Sequence, residues 1–263
     1  METLVKFEVD GAVARVTLSR PEKRNALKRE TLESLAEALT SVENNNEIRV
    51  LILASEGGVF CAGMDLGEMQ ERASSPNSAL EWQRDSEVYC DVLERLYGLR
   101  VPTVAVVSGP ALAGGVGLVL ACDMVLAVDD AFFALPEPMR GITAAMVTPL
   151  LVHRVGAGAA TALLLSGERW STERAYQLGL CHDVVARESL PDRTEQLTRA
   201  ILSGSTAALA LTKQHIDRIS GMDMSQMLRS SMTVSATARE TSDAREGLQA
   251  FLEKRKPNWQ PAE

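Results

Sequence analysis

A chain of 263 residues, 46% hydrophobic and 24% charged, can bury a substantial core, which excludes an intrinsically disordered protein and fits one large domain or one with a small appendage. Its net charge of −8 excludes a general nucleic-acid or acidic-membrane binder, since both need an excess of Lys and Arg, although a local basic cluster could still hold an anionic ligand. Cys61, Cys90, Cys122 and Cys181 are widely spaced with no Cys-x-x-Cys pair, which points to reduced, mostly buried thiols in a cytoplasmic protein and away from a disulfide frame or a zinc site.

The N-terminus, METLVKFEVDG, lacks the apolar core of a signal peptide, and no apolar run reaches membrane-spanning length, so a soluble protein is expected. Leu4–Val9 and Val13–Leu18 read as strands joined by a tight turn at Asp10-Gly11. After Pro21 the period changes: Leu32, Leu35, Ala36, Leu39 and Val42 recur at three- and four-residue spacing and mark the apolar face of a helix. Val50–Ala54, Val104–Val107 and Met124–Val128 are short apolar runs expected to be buried strands, with a helix over Gly115–Ala121. Alternation of such strands with helices predicts an α/β core with a largely parallel sheet. From Thr148-Pro149, which resembles an N-cap followed by proline, the chain reads as nearly all helix. Gly156, Gly167 and Gly179 punctuate this region, and a further helix is expected over Ala207–Ile219. With no linker, this pattern describes one core carrying a helical extension, which could supply an oligomer interface.

Several chemistries lack support. Gly115-Val116-Gly117 has the first two glycines of a dinucleotide fingerprint, but Leu120 stands at the third position. There is no phosphate-loop Gly-Lys-Ser/Thr, no Gly-x-Ser-x-Gly elbow and no His-Glu-x-x-His, and His153, His182 and His215 are isolated. Three segments remain. Val59–Leu66 (VFCAGMDL) and Ser108–Gly117 (SGPALAGGVG) each follow an apolar strand, and their small residues let backbone amides approach a ligand closely. Two such turns side by side could aim two N–H groups at one oxygen, forming an oxyanion hole. In Phe133–Glu137 (FALPE) a lone carboxylate sits among apolar residues, which would raise its pKa toward that of a general acid/base.

In order, these segments closely resemble the crotonase (enoyl-CoA hydratase/isomerase) superfamily over nearly the whole chain. Arg20–Leu27 (RPEKRNAL) is similar to its early turn, Phe60–Met69 (FCAGMDLGEM) and Gly109–Asp123 to its two oxyanion segments, and Phe251–Trp259 (FLEKRKPNW) to its C-terminal signature. The resemblance implies a spiral of β-β-α turns over residues 1–200 and a helical trimerisation region over 201–263. It also implies a homotrimer or dimer of trimers, and an acyl thioester of coenzyme A or of a carrier protein's phosphopantetheine as substrate, with no separate cofactor and no metal. By position, the oxyanion donors would be the backbone N–H groups of Met64 and Gly114, with Glu137 as the proton-transfer group. Lys23, Arg24, Ala26, Ala62, Asp65 and Leu66 match positions along the coenzyme A groove, and Phe251 and Lys254 match positions near its nucleotide end.

One departure bears on the reaction. The first of the two glutamates of the best-known hydratases would fall at Gly117, which has no side chain. A single base suits 3,2-enoyl isomerisation, or water addition and removal with another group placing the water. Gly141–Gly156 (GITAAMVTPLLVHRVG) is similar to a single-glutamate subgroup that includes methylglutaconyl-type hydratases and polyketide β-branching dehydratases, although Ala144 replaces a proline common there.

Overall fold

The structure is a computed structural model describing residues 3–260. Strands β1 (Val5–Asp10) and β2 (Val13–Leu18) form the expected hairpin, which turns through Gly11 at φ +55°. Helix α1 (Arg29–Asn44) buries Leu32, Leu35, Leu39 and Val42, the stripe visible in the sequence. Strand β3 (Val50–Ser55), helices α2 (Leu66–Ala73) and α3 (Ser78–Gly98), and strand β4 (Thr103–Val107) follow. The central region comprises β5 (Ala111–Leu112), α4 (Gly114–Leu120), β6 (Met124–Val128) and β7 (Phe132–Ala134). Then come α5 (Val147–Ser166), β8 (Arg169–Ser171), α6 (Thr172–Gln177), β9 (Asp183–Val185) and α7 (Leu190–Ser203). Helices α8 (Thr206–Ile219), α9 (Met224–Arg239) and α10 (Ser242–Leu252) complete the described chain.

The main sheet has the order β1-β2-β3-β4-β6-β9, and every neighbouring pair except β1/β2 is parallel. Strand β4 is buried at every position and β3 at all but its last, as expected of parallel strands covered on both faces. Strand β2 has only one face buried, and its exposure alternates along the strand. A second sheet, β5-β7-β8, stands beside it. Its strands of two or three residues are too short to leave a period in the sequence, so only the larger sheet was legible there.

From Pro149 onward the chain is nearly all helix, as expected, with the three-residue strands β8 and β9 set between helices. Two expectations need correction. Thr148 does not cap α5: the helix starts at Val147, and the Thr148 hydroxyl instead donates to the Ala144 carbonyl at 3.0 Å. Finally, α5 is long and apolar enough to cross a membrane by length and composition. It is nevertheless broken at Gly156 (φ 77°, ψ 159°), and Leu150, Leu151, Ala160 and Leu163 dock into the core. The four cysteines are free and buried.

Candidate active site

The first glycine turn is tied down by the segment containing Asn25. This residue, 1% exposed and at φ +52°, accepts a hydrogen bond from Arg20 N and donates from its amide to the carbonyls of Glu56 and Val59, each at 2.8 Å. Leu27 then pairs with Met64 as a parallel bridge: Leu27 N–H donates to Gly63 O at 2.8 Å, and Asp65 N–H donates to Leu27 O at 2.9 Å. In such a bridge the intervening Met64 N–H points to the opposite side. On that side Leu112 N–H donates to Cys61 O at 2.8 Å, joining the two glycine turns. Their approach is close: a Cβ on Gly63 would lie 2.6 Å from Ala113 Cβ and 3.3 Å from Gly114 N.

Each candidate donor follows a residue at positive φ, Gly63 at +86° before Met64 and Ala113 at +52° before Gly114. For alanine this conformation costs about 1–3 kcal/mol. It is held by Ala113 N–H donating to Ala134 O at 2.9 Å and by the Tyr89 hydroxyl donating to Gly114 O at 2.6 Å. Among the described residues, neither the Met64 nor the Gly114 N–H donates to a backbone carbonyl. Two free donors therefore border one cavity, which Ala62, Leu66, Tyr89 and Glu137 also line.

Glu137 reaches this cavity from a 3₁₀ turn, Glu137–Arg140, which follows β7 and ends at Gly141 in the left-handed region (φ +67°). Helix α10 holds the turn by backbone contact: a Cβ on Gly247 would lie 2.2 Å from Arg140 O, and one on Gly141 would lie 2.1 Å from Asp243 O. Glu137 is 5% exposed and its Oε2 has no hydrogen-bond partner. Burial pushes its carboxyl up to about 7, against the opposing influence of its own backbone amide and of the Arg140 and Arg239 guanidiniums. A carboxyl in this state can both accept and donate a proton near neutrality.

Tyr89 gave no signal in the sequence as a site residue, because it looks like one more apolar position on a long helix. A Cβ on Gly117 would lie 2.1 Å from its hydroxyl oxygen and 3.2 Å from Val147 Cγ2. Tyr89 thus fills the volume that a side chain at 117 would need, and burial pushes its phenol well above its ordinary value, so it stays protonated. Gly117→Ala should therefore destabilise the fold by about 1–3 kcal/mol, the usual range for overpacking. Removing the hydroxyl in Tyr89→Phe leaves Cζ, 3.3 Å away, as the nearest ring atom. Chemical denaturation of both single variants and the double variant should show Gly117→Ala costing less in the Tyr89→Phe background, and strict additivity would contradict this packing.

Not all the sequence-predicted residues share the cavity. Ala62, Met64, Leu66, Gly114 and Glu137 line it, whereas Lys23, Arg24, Ala26, Asp65, Phe251 and Lys254 do not. The Lys23–Ala26 turn borders it, with Ala62 N–H donating to Arg24 O at 3.0 Å. The Asp65 carboxylate is already used: it caps α2 by accepting from Gly67 and Glu68 N–H, and it pairs with Arg20 at 2.6 Å. Phe251 lies under the Arg140 guanidinium at 4.7 Å, and Lys254 sits just beyond α10 at φ +55°. His182 accepts from Val125 N–H at 3.0 Å and His153 packs edge-on to Tyr97, so both serve packing. A larger open groove between β2 and α7 is lined by Glu8, Arg15, Glu195 and Arg199, and among the described residues it is lined by no buried carboxylate.

The family model for enoyl-CoA hydratase/isomerase matches residues 8–262. The short-chain-enoyl-CoA hydratase of Clostridium acetobutylicum is 32% identical over 254 residues, covering 96% of this chain and 95% of the relative. The 1,2-epoxyphenylacetyl-CoA isomerase of Escherichia coli K12 is 32% identical over 260 residues, covering 98% and 99%. A crystal structure of an enoyl-CoA hydratase/isomerase from Xanthobacter autotrophicus Py2 superposes with a TM-score of 0.88 at 30% identity, covering 100% of both chains. The α/β architecture with its C-terminal helices is therefore the crotonase fold, and the chain belongs to the enoyl-CoA hydratase/isomerase family.

Proposed function

We propose that this protein is a hydro-lyase that adds water to, or removes it from, the α,β bond of an acyl thioester. The observation that carries this reading is the convergence on one cavity of a buried, unpartnered Glu137 with its pKa about 7 and the free amides of Met64 and Gly114. The thioester oxygen would accept hydrogen bonds from the two amides, which strengthen as enolate charge develops. Glu137 takes a proton from the water whose oxygen adds to the β carbon and returns a proton to the α carbon, ending as it began. The phenol proton of Tyr89 is committed to Gly114 O, so its role is to hold that donor turn.

The exposed Lys23, Arg24 and Lys254 would supply positive charge to the nucleotide end of coenzyme A, with Ala26, Asp65 and Phe251 shaping the groove. The apolar residues that α8 leaves exposed, Leu211, Ile216 and Ile219, support a homotrimer or a dimer of trimers. A second reading is 3,2-enoyl isomerisation, favoured because Glu137 is the one carboxylate among the described residues lining the cavity. A third carrier-specific form is dehydration of a carrier-protein-bound 3-hydroxy-3-methylglutaryl thioester. Crotonyl, 3-enoyl and 3-hydroxy-3-methylglutaryl thioesters, each on coenzyme A and on carrier protein, followed by loss or gain of the conjugated enoyl absorbance, separate these forms. Hydration of a 2-enoyl-CoA is the expected result. Conversion of only the 3-enoyl substrate would establish the isomerase, and inertness toward all of them would overturn the proposal.

A further inference from the structure

Arg239 ends helix α9 and lines the cavity of Glu137 together with Arg140, and among the described residues neither guanidinium has an ion-paired acid. The Nη1 of Arg239 is shut off from solvent and has no hydrogen-bond partner, and among the described residues no carboxylate lies within ion-pair distance of its guanidinium. Its nearest buried acid outside the cavity is taken: Asp85 accepts from Arg29 at 2.6 Å on one oxygen and pairs with Arg72 at 2.8 Å on the other. What the guanidinium does touch is the Trp82 ring, with its central carbon 5.5 Å from the centroid. That contact fixes its plane but leaves Nη1 without an acceptor. Burying a guanidinium without a hydrogen-bonded anion is costly, so an anion that enters with the substrate is the natural partner.

The position restricts which anion this can be. Arg239 lines the cavity together with Glu137, Tyr89 and Ser235, close enough for its charge to act on the Glu137 carboxyl, by which the reacting carbons would lie. Arg140 lines the same cavity with its guanidinium 4.7 Å over the Phe251 ring, whereas the phosphates of a nucleotide would lie by the exposed Lys23, Arg24 and Lys254. We propose that Arg239 recognises a carboxylate carried by the substrate's acyl group, so that this protein acts on thioesters of dicarboxylic acids. The inference rests on the acyl-thioester reading of the same cavity, and it specifies the substrate class. It also explains why a cation is kept where only one proton-transfer carboxylate is present.

The test is calorimetric and does not depend on turnover. Succinyl-, glutaryl- and adipyl-CoA are titrated against butyryl-, pentanoyl- and hexanoyl-CoA, the methyl-ended partners of equal carbon count. At least one dicarboxylic thioester should bind the wild type tenfold to about a hundredfold tighter than its partner, the range for a hydrogen-bonded charge. Its amide-capped analogue should bind no better than the methyl-ended one. Arg239→Met keeps length and removes the unpaired charge, leaving Asp85 with both of its arginines, and it should erase the preference without weakening methyl-ended binding. Arg239→Lys should retain part of it. No preference in the wild type, an equal preference for the amide, or a preference that survives Arg239→Met would each overturn the proposal. A clear preference in a protein that neither hydrates nor isomerises any enoyl thioester would leave this inference standing and remove the proposed reaction. Hydration of crotonyl-CoA with no preference would do the reverse.

Discussion

Glu137→Gln should bind an acyl thioester about as well as the wild type while losing about 10²–10⁴ in kcat, the usual contribution of a general acid/base. The amide keeps the size and shape of the side chain but cannot exchange the proton. Stability should move the other way. A carboxyl whose folded pKa of about 7 exceeds its ordinary 4.5 favours the folded state in its protonated form. That contribution is complete below about pH 4.5 and is lost as pH rises through 7. Above pH 8 the charged, buried group would cost roughly 3 kcal/mol, and the Gln variant is spared this penalty. Thermal unfolding of the variant should therefore show a higher Tm than the wild type at pH 8.5 and little difference at pH 4.5. Parallel pH profiles for the two proteins would mean that Glu137 titrates normally.

Gly114→Val should lose about 10²–10³ in kcat, the loss typical of one oxyanion donor. The steric load falls on Tyr89: a Cβ at position 114 would meet its hydroxyl at 3.3 Å, its Cζ at 3.5 Å and Leu27 Cδ1 at 3.7 Å. The branched γ-methyls have no room there without displacing the phenol that holds the Gly114 carbonyl. Either the hydroxyl leaves that carbonyl or the first turn of α4 tilts, and both re-aim the N–H. Met64→Leu provides the contrast. Its donor is a backbone group set by Gly63 and the bridge to Leu27, so a side-chain exchange of similar volume should keep kcat within a few-fold. If Gly114→Val retained full kcat, or if Met64→Leu lost as much, the two amides would not be the donors.

The sequence carried the elements long enough to show a period and the turns where glycine or proline leaves a mark. The hairpin at Gly11, the stripe on α1 and the buried strands β3, β4 and β6 were all legible, as were the two glycine turns and the apolar setting of Glu137. Hidden features depend on tertiary contact. Tyr89 and Arg239 lie on long helices, where one aromatic and one cation look like ordinary packing and surface residues. Nothing local says that the first meets Gly117 from 28 residues away, or that the second turns inward over Trp82. The clasp of α10 on the Glu137 turn is likewise silent, because Gly141 and Gly247 are informative only once their backbones touch. Asp65 has a structural role that its place in the sequence does not show, since its carboxylate caps α2 and pairs with Arg20.

The central claim is that Glu137 moves the proton at the α carbon of a thioester whose developing enolate is held by two backbone amides. Proton NMR of 3-butenoyl-CoA in deuterium oxide reads this step in isolation, because its α protons can exchange whether or not water is later added. Wild-type protein should exchange them at a rate that rises with pH through about 7, as the Glu137 carboxyl loses its proton and becomes the base. Glu137→Gln should bind the same thioester with an unchanged Kd and show exchange reduced by at least a hundredfold. Exchange that persists at the wild-type rate in the Gln variant would contradict the account.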